Sequence, residues 1–151
     1  MITECLSVFF MSMIPVVELR GAIPVGIAAG VPPALTYPLA VVGNLIPAPL
    51  IILLIRKVFD LLRRVSWMGS KITWLEQRAH LKGRMIHKYG LIGLFILVAV
   101  PLPGTGAWTG ALAAALLDIR LKRAMPAIIL GVLVAGGIVL ALSCGVAFVV
   151  T

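Results

Sequence analysis

Apolar residues fill this chain in runs that are cut by proline and glycine far more often than by charge. Ile2–Met13 is a short apolar run, ended by the stretch Pro15-Val-Val-Glu-Leu-Arg-Gly-Ala-Ile-Pro24. Val25–Val31 is apolar again, and Pro32-Pro33 makes a turn. Ala34–Ile55 then runs 22 residues without a charge. A bilayer core takes about 20 helical residues, so this segment is a membrane span. Gly43, Asn44, Pro47 and Pro49 lie inside it and predict a kink. After Lys88 the layout repeats: Leu91–Val100, a break at Pro101-Leu-Pro-Gly-Thr-Gly106, Ala107–Leu117, a charged turn at Asp118–Arg123, and a second full span over Ala124–Val150. Pro15, Pro38 and Gly43 recur as Pro103, Pro126 and Gly131, each 88 residues later. Paired broken segments in two halves of an apolar chain point to a transporter with its site near the bilayer midplane.

Composition agrees with that pattern. Apolar residues make up 62% of the chain and charged ones 12%, with a mean hydropathy of +1.16. A soluble domain averages about half apolar and a quarter charged. The chain is therefore expected to be an integral membrane protein. Its net charge is +8, which in a soluble protein would suggest nucleic acid. Here nine of the 13 Lys/Arg lie between Arg56 and Lys88, beside membrane segments. Positive-inside bias accounts for them, so the expected partner is the lipid bilayer and no nucleic acid. The N-terminus does not read as a signal peptide, because Glu4 and no Lys/Arg precedes its apolar run. Cys5 and Cys144 have no metal or redox spacing. No cofactor, metal or enzymatic activity is expected, since no nucleophile–base pair, metal cluster or phosphate-binding loop is present.

The basic segment 56–88 places Ile72, Leu75, Ala79, Lys82 and Ile86 on one helical stripe. Lys71, Arg78, Arg84 and Lys88 then face headgroups or water, with Trp67 and Trp74 at the interface. His80 and His87 read as solvated. Both basic loops, 56–88 and 120–123, should lie on the cytoplasmic side, so the chain between them crosses an even number of times. Only the 29 residues Tyr89–Leu117 are available, whereas two crossings need about 40. A re-entrant hairpin over 89–117 follows. The first half gives its mirror image, a hairpin over 2–31 entered from outside and a span over 34–55. The expected fold is thus all-α: one membrane domain, 1–151, of two inverted repeats (1–55 and 89–151), with both termini outside. In a competing topology each half makes one full crossing and a shorter second segment.

The candidate chemistry sits at the breaks. Glu18 and Arg20 are the charges between Glu4 and Arg56, and ionisable groups deep in a membrane are costly unless paired, functional or facing water. The helix after a break offers free N–H groups to an anion, and Arg20 would strengthen such a site. Glu18 could bind a proton or a cation. Alternatively, the two residues neutralise each other, or cap the broken helices, for structure alone. Pro15 and Gly21 shape this break. The second break carries no charge, and Pro103, Gly104, Thr105, Trp108, Thr109 and backbone carbonyls would supply its polarity. Gly26-Ile-Ala-Ala-Gly30 and Gly106-Ala-Trp-Thr-Gly110 are both GxxxG, which predicts close helix packing at Gly26, Gly30, Gly106 and Gly110. Asn44 could hydrogen-bond the hairpin or a neighbouring helix.

The run Met11-Ser-Met-Ile-Pro-Val-Val-Glu-Leu-Arg-Gly-Ala-Ile-Pro-Val-Gly26, with Val100-Pro-Leu-Pro-Gly-Thr-Gly-Ala-Trp-Thr-Gly110, resembles the prokaryotic small multi-drug export proteins. The resemblance covers nearly the whole chain. It implies export of small drugs across the cell (inner or plasma) membrane of a prokaryote. The layout is also similar to the DedA-like membrane proteins, some of which are proposed to move lipid phosphates by ion gradients. Glu18 matches the acidic residue of their first hairpin. Their second hairpin carries an arginine, and Pro101–Gly110 has none, so a phosphate here would depend on Arg20. The expectation is a proton- or ion-coupled secondary transporter acting as a homodimer on a small lipophilic or lipid-phosphate substrate. A lipid-phosphate flippase and a non-transporting membrane scaffold are the alternatives.

Overall fold

The computed structural model describes residues 1–63, 89–102 and 105–150. Seven helices are described: α1 (Ile2–Met13), α2 (Glu18–Ala28), α3 (Pro33–Leu45), α4 (Pro47–Arg63), α5 (Leu91–Ala99), α6 (Ala107–Leu116) and α7 (Leu121–Val150). No strand occurs among the described residues. The stripe over 72–86, both histidines, Trp67 and Trp74 lie outside them.

Two helical stretches are long and apolar enough to cross a membrane, Pro33–Ile55 and Leu121–Phe148. The first is interrupted at Ile46. Pro47 has no N–H to donate to the carbonyl of Gly43, so the helical ladder lapses where the sequence predicts a kink. The second span starts at Leu121, so Lys122 and Arg123 belong to its first turn rather than to the preceding loop.

The four short helices have 9 to 12 residues. At 1.5 Å per residue each is about 14–18 Å long, roughly half the apolar thickness of a bilayer. α1 and α2 lie side by side, since a Cβ on Gly26 of α2 would come within 2.6 Å of Val8 on α1. α5 and α6 do the same, with Gly110 of α6 against Val98 and Leu94 of α5. α1 and α2 both pack on α3, and α5 and α6 both pack on α7. Across the halves, α2 packs on α7 and α6 on α4.

The turns that lead from each short pair into its span are alike bond for bond. The Val31 N–H donates to Gly26 C=O (2.9 Å) and the Gly30 N–H to Ile27 C=O (3.0 Å). At the same 88-residue offset, the Ile119 N–H donates to Ala114 C=O (2.9 Å) and the Asp118 N–H to Ala115 C=O (3.3 Å). Both are helix ends closed by a left-handed residue, Gly30 at φ +80° and Asp118 at φ +55°. Glycine accepts that conformation freely, and aspartate is among the side chains that tolerate it.

The recurring glycines of the two spans occupy equivalent contacts. A Cβ on Gly43 would run into Ser12 Oγ and the carbonyl oxygen of Phe9, and one on Gly131 would meet Val98 and the carbonyl oxygen of Phe95 (3.1 Å). At each of these two points the spanning helix touches the backbone of the first short helix of its half. Backbone cannot rotate aside as a side chain can. Gly43→Ala should therefore destabilise the protein by about 1–3 kcal/mol, the cost of overpacking a tight contact. The shift of the detergent-to-SDS unfolding midpoint measures it.

Candidate functional site at the two breaks

The breaks that end α1 and α5 meet. Residues 14–17 form a turn in which Pro15 is exposed, and α2 then starts at Glu18. Glu18 has φ +49°, a left-handed conformation that costs a non-glycine residue about 1–2 kcal/mol. The twist turns its side chain inward. The carboxylate is buried, with 4% of the residue exposed, and it crosses to the other half of the molecule. Its Oε1 accepts the backbone N–H of Trp108 (3.3 Å), at the start of α6. The carboxylate lies over Gly106, where a Cβ would come within 2.7 Å of Oε1 and closer still to Oε2. Gly106 precedes α6 at φ +148°, and no side chain of its own caps that helix. The Glu18 carboxyl group thus sits at the positive end of α6.

The indole N–H of Trp108 donates back to the carbonyl oxygen of Met13 (3.2 Å), the last residue of α1. Arg20 makes the complementary link. Its guanidinium donates to the carbonyl oxygens of Leu102 and Val100 (3.3 Å to the latter) and to Thr105 Oγ1 (3.0 Å). The Thr105 hydroxyl in turn lies within bonding distance of the Val100 and Leu102 carbonyls, at 2.8 and 2.9 Å. Arg20 therefore gathers carbonyls of the chain just past the end of α5. Its Nε–H is buried without an acceptor among the described residues. Glu18 and Arg20 make no direct ion pair with each other. Each instead binds the opposite break.

Glu18, Arg20, Thr105, Trp108 and Gly106 come together, and Pro103 and Gly104 lie outside the described residues. Gly21 is half-buried, with its α-carbon covered by Val17 of its own turn. Thr109 is half-buried in the first turn of α6. Asn44 is buried on α3, and its amide has no partner among the described residues, so it bonds neither the short helices nor a neighbouring span. Two of the four GxxxG glycines have other roles. Gly26 and Gly110 are helix contacts, but Gly30 is a turn residue at which an added Cβ would meet nothing within 4 Å, and Gly106 is the seat of the Glu18 carboxylate. Both stand just outside their helices, where the motif no longer describes a packing stripe.

Sequence reasoning missed the wall beside the site. A cavity of about 780 Å³ opens between α2, α7 and the second break, and Arg20, Pro24, Ile27, Pro101, Leu142 and Val146 help to line it. Its residues on α7 lie between Val139 and Ala147, a stretch that is apolar but for Ser143 and gives no sign of a cleft.

A family model described as "putative small multi-drug export protein" matches residues 18–138, a range that begins at Glu18, within the first break, and includes the second. The chain belongs to that family, and its two long apolar helices accord with a membrane transport protein. Comparison with curated proteins and with solved structures finds no match for the chain.

Proposed function

We propose that this chain is a small secondary exporter whose translocation site is the junction of the two breaks. The observation that carries this reading is the reciprocal link across the junction: Glu18 to the Trp108 N–H one way, Arg20 to the carbonyls of Val100 and Leu102 the other. Two half-length helix pairs, joined tip to tip by charged groups, suit a midplane site better than a scaffold needs. On this reading the pairs are re-entrant hairpins of opposite entry, 2–31 from outside and 89–117 from the cytoplasm. The matched turns at Gly30 and Asp118 support that arrangement, and so does the charge difference between Pro32-Pro33 and Arg120–Arg123.

Glu18 is the proposed proton carrier. Deprotonated, it holds the positive end of α6. Protonated, it loses most of its attraction to that helix end. The link between the halves weakens, and the hairpins can rock against the spans of α3–α4 and α7. A proton taken up from outside would accompany outward release of the substrate, and its loss to the cytoplasm would restore the link. A homodimer is part of the proposal, because a chain of 151 residues encloses little interior of its own.

Proteoliposomes with an imposed pH gradient and an internal pH dye test the activity. At least one member of a panel of lipophilic cations and anionic amphiphiles should dissipate the gradient, and Glu18→Gln should abolish that dissipation. A wild-type protein inert to the whole panel would sink the exporter. The topology has its own check. In a variant with Cys5 and Cys144 replaced by alanine, single cysteines at Pro32 and Asp118 should react with an impermeant thiol reagent from opposite sides. Labelling of both from one side would exclude inverted hairpins.

A further inference from the structure

The two charges at the junction face different surroundings, and that difference bears on what the site can take. Arg20 lines the cavity of about 780 Å³ between α2 and α7, a volume in the range of about 300–1,000 Å³ that holds drug-sized ligands. Arg20 is the charged residue among those lining it. Most of the rest is apolar: Pro24, Ile27, Val139, Leu142 and Val146. Ser143 also lines it, but its hydroxyl is spent on the Val139 carbonyl of its own helix (2.8 Å). The guanidinium at the wall is held by carbonyl oxygens and a hydroxyl, with no carboxylate paired to it.

Glu18, the group that would draw in a lipophilic cation, is absent from the cavity wall. It is buried on the other side of the junction, over Gly106 and at the Trp108 N–H. A cation entering the cleft would meet the Arg20 guanidinium at the wall and no carboxylate there. An anion would find a planar donor suited to carboxylate or phosphate, backed by apolar wall.

We infer that this cleft binds an amphiphile from the surrounding lipid phase, with its anionic head at Arg20 and its apolar body along α2 and α7. This rests on the exporter reading and gives that exporter its substrate class, a lipophilic acid rather than a lipophilic cation. The cleft runs from Arg20 and Pro101 at the junction to Ala28 and Ala147, near the ends of α2 and α7. A bound chain would thus point away from the junction while its head sits there.

The test uses the full chain in nanodiscs of zwitterionic lipid. Decyl phosphate, decanoate and decyltrimethylammonium share one tail and differ in head, so the first two separate phosphate from carboxylate and the third reports the opposite charge. Binding is read from thermal stabilisation as a function of concentration. At least one of the two acids should bind about tenfold or more tightly than the ammonium, a discrimination of one full charge-assisted contact. Arg20→Gln should erase that preference. Leu142→Trp and Val146→Trp fill the cleft without touching any bond of Arg20. They should weaken the acid about tenfold even if Arg20→Gln fails to fold.

Tighter binding of the ammonium, or acid binding indifferent to both tryptophans, overturns the inference. So does a change of oligomeric state in the tryptophan variants without an effect on any ligand, which would assign the cleft to a second copy of the chain. Proton-coupled flux of the ammonium would remove the acid while leaving the exporter standing. Acid binding with no flux of any compound would remove the exporter instead.

Discussion

Gly106→Ala should be the most damaging single methyl group that can be added at the described glycines. The residue sits at φ +148°, a conformation that side-chain-bearing residues rarely adopt, and the new Cβ would be driven into the Glu18 carboxylate. The carboxylate has little room to yield, being buried and fixed at the start of α2 by a left-handed backbone. If it moves, the Trp108 N–H loses its acceptor and the positive end of α6 loses its carboxyl group. Backbone strain, overpacking and the lost bond each cost about 1–3 kcal/mol, and together roughly 3–5 kcal/mol is expected. The detergent-to-SDS unfolding midpoint reports the loss, and proton-coupled flux should vanish with it. Gly137→Ala is the control. Nothing lies within 4 Å of a Cβ there, so the change should stay within about 1 kcal/mol of wild type. Shortening the acid as well, in Gly106→Ala with Glu18→Ser, should recover the steric part of the loss and not the backbone part. A Gly106→Ala protein as stable as wild type would mean that Glu18 does not rest on this residue.

Much of this arrangement is legible along the chain, and the part that is not has a physical reason. Proline and glycine mark helix ends through backbone rules that act locally. The predicted breaks after Met13 and Val100, the kink near Pro47 and the turns at Pro32 and Asp118 therefore fall within a few residues of the observed ones. The 88-residue recurrence also carries through, down to the paired turn bonds of Gly30 and Asp118. What a chain does not display is which side of a break a charge will face. Glu18 and Arg20 are two residues apart, and the sequence alone leaves both a mutual pair and caps on the broken helices open. The left-handed backbone at Glu18 sends the carboxylate across to Gly106 while Arg20 reaches Val100, Leu102 and Thr105. One trace of this does survive in the sequence. Gly106 stands 88 residues after Glu18, so where one half carries the acid, the other carries the glycine that makes space for it. The cleft along α7 leaves no such trace, because an apolar residue facing a ligand and one facing lipid are written alike.

Arg20 is expected to separate into two measurable roles. Its structural role depends on the planar fork, which serves two carbonyls and a hydroxyl at once. Arg20→Ala leaves those acceptors with no cation and should cost about 3 kcal/mol, with flux lost. Arg20→Lys keeps the charge but cannot span the same acceptors, so about half of that stability should go. Thr105→Val removes one arm of the network and should cost about 1 kcal/mol; it should add little in an Arg20→Ala background, because the two groups share their acceptors. Ligand binding follows a different rule, since an ammonium still attracts an anionic head. Arg20→Lys should retain acid affinity within about tenfold of wild type while its unfolding midpoint falls, whereas Arg20→Ala loses both. A scaffold subunit would show only the stability series, with no acid affinity to preserve and no flux to lose. If stability falls along Lys and Ala while every variant handles the acids as wild type does, the guanidinium is a clasp between two breaks and nothing more. If affinity tracks charge while stability tracks the fork, one side chain holds the junction closed and marks it for an acid.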